Sequence, residues 1–312
     1  MANAAQNPFE VELLTTQYTT ILELLLQQKV SKLRGYSASG AHVGKMASPV
    51  QQIGVLEFKA PSGRYSPIQF QLPNYTRRWV FPTDRDVGVP VDTFDELKTI
   101  VDPKGGINLA VVAAANRFFD DLIISAALGS ASVGVDASSL STETFDSTNA
   151  LVADTFGASA STGMTYPKLV ECWRIMRHFQ VDLDAERPCV VMGSLQESDL
   201  KKQQEVISKE YNDRPVIEDG RVTSLAGFNV IVSERLNTSS SNSLRNCFAF
   251  VQSGLYLGLW KDMTISVDNR VDLASHPWQL YSMVSAGATR TQQYKIIQIN
   301  AADTSGADPT AP

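Results

Sequence analysis

Cysteine and histidine are scarce in this chain of 312 residues, with three of each. Cys172, Cys189 and Cys247 are odd in number, widely spaced and set among apolar neighbours, as in Pro188-Cys189-Val190-Val191. That pattern argues against a disulfide framework and predicts reduced, buried thiols. His42 falls in a connector without periodicity, His178 on the polar side of a predicted helix, and His276 before Pro277 in a turn. None pairs with another His or Cys at metal-ligand spacing, so no metal is expected. A phosphate-cradling loop is missing too, because Gly105-Gly106 lacks the Lys-Ser/Thr that should follow. No cofactor is expected. Long apolar runs are also lacking: Val111–Ala115 and Leu122–Leu128 are interrupted by Arg117, Asp120 and Asp121. Both fall far short of the ~20 residues of a membrane span. Met1–Phe9 has no basic stretch leading into an apolar one, and the sequence reads as a soluble intracellular product without a secretory signal. The formal net charge is −6 and the basic residues are dispersed. A dedicated DNA-binding protein would cluster them, whereas a protein that merely encloses DNA need not.

What is present is material for a large core: 43 % hydrophobic and 19 % charged residues, enough for one large or two medium domains. Phe9–Leu33 reads as a helix with a stripe through Val11, Leu14, Tyr18, Ile21, Leu22, Leu25 and Leu26, closed by Lys29, Lys32, Arg34 and Gly35. Gly35–Pro49 is a small-residue connector. From Val50 the period changes to that of strands. Ile53, Val55 and Phe58 lead to a turn at Ala60-Pro61-Ser62-Gly63, and Tyr65, Ile68, Phe70 and Leu72 return. This hairpin carries Lys59, Arg64, Arg77 and Arg78. Its mixed polarity can bury one face at most, so it must rest on something else.

A long helix is predicted from about Gly106 to Leu128, with a seam of Ile107, Val111, Ala114, Phe118, Leu122 and Ser125 and an Arg117–Asp121 pair. Its ~23 residues would span roughly 35 Å. Gly129–Gly163 reads as weak strands and loops. Thr165 caps a second helix with Leu169, Cys172, Trp173, Met176 and Phe179 inward. Pro188–Met192 is a short strand, and Ser194 with Glu197 forms a capping box opening a helix to about Lys209. Asp219-Gly220 marks a tight hairpin between Val216–Glu218 and Arg221–Leu225. Strands follow at Phe228–Val232, Phe248–Trp260, Met263–Val267, Trp278–Ser285 and Tyr294–Ile299, around a polar loop at Asn237–Asn246. The order of elements is that of an α+β protein.

The most enzyme-like feature is Val190-Val191-Met192-Gly193-Ser194, a strand, a bend and a helix with serine at the bend. A nucleophile elbow needs small residues on both sides of that serine, and Gln196 stands where the second glycine belongs. Helix capping accounts for Ser194 more simply. Asp182, Asp184 and Glu186 form a carboxylate cluster that reads as solvated turn residues. No catalytic residue is assigned, and the reading is of a non-enzyme.

The stretch Arg117-Phe118-Phe119-Asp120-Asp121-Leu122-Ile123-Ile124-Ser125-Ala126 resembles the long spine helix of tailed-bacteriophage major capsid proteins. Colinear matches to that family run from about Thr83 to Ile299. They include Phe94–Leu97 with Asp102-Pro103, Leu169–Phe179, Val181–Val191, Asp219–Val222, Gly227–Ile231 and Gly287-Ala288-Thr289-Arg290. The resemblance implies the Hong Kong 97 type of capsid fold. Residues 1–49 would be the N-terminal arm and 50–82 an extended hairpin loop lying on a neighbouring subunit. Residues 83–128 and 237–312 would form the peripheral domain with the spine helix, and 129–236 most of the axial domain.

It further implies a subunit that self-assembles, in hexamers and pentamers, into the icosahedral head shell around double-stranded phage DNA. Such a shell is built in the host bacterial cytoplasm and is part of the virion. Portal protein is an expected partner, DNA would be touched non-specifically, and no membrane is involved. No long charged N-terminal scaffolding segment is present, which leaves room for separate scaffolding and cement proteins. The assembly-interface candidates are Lys59, Arg64, Arg77 and Arg78 on the hairpin and Leu14, Ile21 and Leu25 on the arm, with Glu197, Asp199 and Glu205 as an acidic surface for the hairpin to cross. Competing readings are an encapsulin-like compartment shell, another virion structural protein, and a serine hydrolase built on Ser194.

Overall fold

A computed structural model describes residues 26–45, 48–68, 70–92, 103–136, 138–203, 217–218, 221–239, 244–274 and 276–303. Its longest helix, α1, runs Pro103–Leu128. Apolar side chains cover most of its circumference, so sequence periodicity alone leaves the buried side open. Packing selects Val111, Ala115, Phe119, Ile123 and Ala127, an unbroken row at four-residue spacing, with Ile124 beside it. The predicted seam is therefore corrected: of its members Val111 alone is buried, and Ser125 is exposed. The Arg117–Asp121 pair is corrected as well. Asp121 binds Arg235 at 2.5 Å, and Arg117 donates to Gln27 Oε1 at 2.6 Å.

Two sheets meet this helix's surroundings. The first is ordered β1-β15-β16-β4, from β1 (Ala38–Ala41), β15 (Leu255–Asn269), β16 (Trp278–Arg290) and β4 (Thr83–Val91). On β16 the residues Leu280, Ser282, Val284 and Ala286 are buried alternately, on the face toward α1. Gly287 follows on the opposite face, and a Cβ there would lie 2.1 Å from the Phe81 carbonyl oxygen, so the crossing chain needs glycine. The connector Gly35–Pro49 is thus not free of structure: β1 lies in it, parallel to β15.

The second sheet is ordered β11-β12-β8-β14-β17-β7, with β13 beside β14. It is built from β7 (Leu151–Val152), β8 (Cys189–Met192), β11 (Ser224–Leu225), β12 (Phe228–Val232), β13 (Thr238–Ser239), β14 (Leu244–Phe250) and β17 (Ile296–Ala302). All four residues of β8 are buried, as a central strand requires. Helix α2 (Tyr166–His178) packs beside β17 and β7, burying Leu169, Cys172, Ile175 and Met176. One continuous set of buried side chains joins α1, α2 and both sheets. The predicted strand Phe248–Trp260 is really two. A 3-10 turn at Gln252–Gly254 lets the chain leave the second sheet and enter the first. The strands described between residues 238 and 302 are accordingly divided between the two sheets.

Three smaller corrections concern helix ends. Among the described residues of the predicted helix Phe9–Leu33, positions 26–33 are not helical, and the rest lies outside the described residues. Helix α3 spans Ser194–Lys202 rather than reaching Lys209. Its N-cap is Gly193, so Ser194 is the first helical residue and the predicted capping box does not form. Thr165 does precede α2 in extended geometry, without a side-chain cap bond. β9 (Ile217–Glu218) pairs antiparallel with β10 (Arg221–Val222), Glu218 opposite Arg221, while the predicted turn residues Asp219 and Gly220 lie outside the described residues.

Candidate assembly surface

Residues 48–80 form a hairpin with two dissimilar halves. Its base is a ladder, β2 (Ser48–Ile53) antiparallel to β3 (Tyr75–Val80), extended by β5 (Ala131–Val133) and β6 (Ser141–Glu143). The return strand is thus Tyr75–Val80, beyond the predicted Tyr65–Leu72, because those later residues have β5 to pair with. The base is nailed to the subunit. Arg78 donates to the Thr291 carbonyl at 3.0 Å and pairs with Glu143 at 2.5 Å. Gln52 reaches the same carbonyl at 2.6 Å, Trp79 donates to the Gly134 carbonyl at 2.9 Å, and Arg77 to the Val135 carbonyl at 2.8 Å. Beneath them the buried Arg290 donates to the carbonyls of Ala127 (3.1 Å) and Gly129 (2.7 Å), where α1 ends. Burial lowers the Arg290 pKa, with Glu143 opposing that shift and Arg78 adding to it.

The tip is different. Between Gly54 and Asn74 no ladder pairing occurs among the described residues, and the turn sits at Gly63–Ser66, three residues past the predicted one. Its apolar side chains face solvent: Phe58 is 109 % exposed, Phe70 89 % and Leu72 94 %, with Val55, Tyr65 and Ile68 alike. Lys59 and Arg64 are exposed among them. Of the four basic candidates these two are free at the surface, whereas Arg78 is buried and occupied within its own chain and Arg77 is half-buried. A contiguous apolar exposure of this kind marks a surface to be covered.

A second junction holds the described start of the chain. The Asp120 carboxylate, 0 % exposed on α1, accepts from Ser31 Oγ at 2.6 Å, Lys32 N–H at 3.0 Å and Leu33 N–H at 3.1 Å, with Gln28 as a further donor. Asn116 donates to the Lys29 carbonyl at 2.9 Å. Lys32 Nζ donates to the Val232 carbonyl at 2.7 Å. Arg34 forks onto Asp262 at 2.6 Å and covers the Phe119 ring. Its hydrogen bonds hold the Asp262 carboxyl below the ordinary carboxylate range. The sequence reading missed Asp120, Glu143 and Arg290. The available signal was two adjacent carboxylates inside an apolar helix and an arginine closing an apolar strand, since buried charge demands partners.

The remaining candidates scatter. Leu14, Ile21, Leu25 and Glu205 lie outside the described residues. The proposed acidic acceptor patch does not exist as drawn: Asp199 is buried, and Glu197 pairs with Lys201 at 2.8 Å. Burial raises the Asp199 pKa against the pull of Lys202. Ser194 gives its backbone N–H and hydroxyl to Glu234, so its partner is a carboxylate and not a histidine. Asp182 accepts from the N–H groups of Asp184 and Ala185, Asp184 meets Arg177 at 3.4 Å, and Glu186 accepts from Ser253 N–H. The carboxylates do not converge. His42 shares a hydrogen bond of 2.7 Å with Tyr256, and burial, then Lys45, lowers its pKa. All three cysteines are buried and free. Among the described residues no cluster suited to a metal ion occurs, and no helix is long and apolar enough to cross a membrane.

The sequence matches the family described as "Phage capsid protein" over residues 12–303. No curated protein matches it. Among solved structures, the capsid of the cyanophage P-SCSP1u is similar with a TM-score of 0.71 at 12 % identity, over 94 % of this chain and 95 % of that one. The capsid of Ralstonia phage GP4 gives 0.69 at 11 % identity, over 98 % and 99 %. The capsid of a native GTA particle gives 0.66 at 14 % identity, over 96 % and 100 %. At such identities the likeness is one of fold, and that fold is of the Hong Kong 97 type.

Proposed function

The chain belongs to the phage capsid protein family, and on that premise, with its role as subunit of the head shell, we propose how the subunit is used. The exposed hairpin tip is the strap by which one copy grips the next. The observation that carries this is the contrast between an anchored base and a bare apolar tip. Covering a phenylalanine or leucine is worth about 1.5–3 kcal/mol before ordering costs, and each copy offers several such residues. Lys59 and Arg64 add steering rather than strength, since exposed ion pairs contribute ~0–1 kcal/mol. The arm residues Leu14, Ile21 and Leu25 are proposed as a second contact, because an amphipathic stripe calls for an apolar partner surface.

The finer assignments follow the same reading: hexamers and pentamers in an icosahedral shell, with residues 129–236 mostly axial and the spine-helix sheet peripheral. Portal protein, separate scaffolding and cement proteins, and assembly in the host cytoplasm belong to it as well. Contact with packaged double-stranded DNA would be non-specific and weaken as salt rises, given the net charge of −6 and dispersed basic residues. The purified protein should sediment as capsomers or shells, visible by electron microscopy. A monomer persisting across a wide concentration range would overturn the assembly reading.

A further inference from the structure

Residues 27–34 touch three parts of the fold that are far apart in sequence: α1 through Asn116, Arg117 and Asp120, the end of β12 through Val232, and β15 through Asp262. The centre of this junction is the buried carboxylate of Asp120. Each of its oxygens takes two donors, Ser31 Oγ and Leu33 N–H on one, Gln28 Nε2 and Lys32 N–H on the other. Four donors around one side chain, two of them main-chain amides, define the course of the backbone and not merely a contact. Leu33, fully buried, fixes the inner end of the segment, while Leu26 is fully exposed at the outer end.

We infer that Asp120 is a positioning residue for assembly: it sets the point and direction from which the chain preceding Leu26 leaves the subunit, and so aims the N-terminal arm at its neighbour. This rests on the assembly reading above. A buried aspartate that only filled a gap in the core could be satisfied by its own helix or by one cation. Here the donors come from a segment 87–92 residues away in sequence, the one that leads to the arm. The Arg34–Asp262 pair braces the same segment against β15, and the neighbouring Asp121–Arg235 pair ties α1 to the chain that follows β12.

Asp120→Asn tests this, because an amide accepts through one oxygen and turns its NH2 toward the other two donors. Gln28→Ala with Ser31→Ala tests it from the arm side, leaving α1 untouched. Trypsin cleavage after Lys29 and Lys32 should accelerate about tenfold in Asp120→Asn, the effect of losing one or two hydrogen bonds to a charged group. The arm-side pair should move the same way. Particle yield should fall in both while the subunit's melting temperature stays near the parent's. If Asp120→Asn fails to fold, the arm-side pair decides the matter. Unchanged cleavage, unchanged particle yield despite faster cleavage, or a collapsed melting temperature in the arm-side pair would each overturn the inference. A parent protein that forms no particles would instead overturn the assembly reading.

Discussion

The seven-stranded sheet and the hairpin tip use the same kinds of side chain to opposite ends. In β8 and β14, Val190, Val191, Phe248 and Phe250 are wholly buried in the core that α2 and β17 share. In the tip, Phe58, Ile68, Phe70 and Leu72 are as apolar and stand in solvent. The sheet closes on itself because its neighbours supply both backbone partners and covering faces. The tip has neither beyond Gly54 and Asn74, so its apolar surface is left for another molecule. On the strap proposal, stability resides in the sheet and association in the tip, so that a subunit can fold before it assembles.

Substitutions should separate the two. Phe248→Ala should cost about 3–5 kcal/mol, the range for emptying a core aromatic site, and melt the subunit far below the parent. Phe58→Ala with Phe70→Ala should leave the melting temperature unchanged and abolish shells. Equal losses of stability in both would erase the contrast.

Next in size is a lysine buried beside the seven-stranded sheet. Lys168, fully buried, donates to the carbonyls of Thr162, Gly163 and Asn300 at 2.8–3.2 Å. Burial lowers its pKa from 10.5 to about 8, with Asp154, Cys247 and Asp199 opposing. The unfolded chain keeps this proton up to the ordinary lysine range, so between about pH 8 and 10.5 it binds more protons than the folded state. Stability from this group therefore rises with pH across that window, by at most about 3 kcal/mol. Melting the parent beside Lys168→Met should reveal a difference that shifts in the parent's favour as pH rises. A pH-independent difference would place the proton elsewhere.

The smallest contrast lies within the hairpin. Arg78→Ala removes the partner of Glu143 and one of the two donors to the Thr291 carbonyl and should cost roughly 1–3 kcal/mol, whereas Arg64→Ala should cost less than about 0.5 kcal/mol. A shared value from chemical denaturation would mean that base and tip are one unit.

Much of this was legible from residue order. The apolar run Val111–Ala115, the stop at Leu128, the strand Phe228–Val232 and the cap position of Thr165 are local properties, settled by periodicity and end signals within a few residues. The tip's exposed apolar side chains were legible for the same reason, since alternating polarity can bury one face at most. The capping box at Ser194 failed because the Glu234 carboxylate, 40 residues away, holds that serine. The acidic acceptor patch failed because Asp199 turned inward. Neither contact leaves a trace in sequence spacing.

By itself the sequence determined the element order, the α+β class, the long helix and the presence of surfaces that one copy cannot cover. Tertiary structure alone decided which side of α1 is buried, that Arg78 is held within the base, and that Asp120 holds residues 28–33. The physical reason is range. Periodicity and capping act over one or two turns, whereas burying a charge requires donors or acceptors that only folding brings from 87 to 213 residues away.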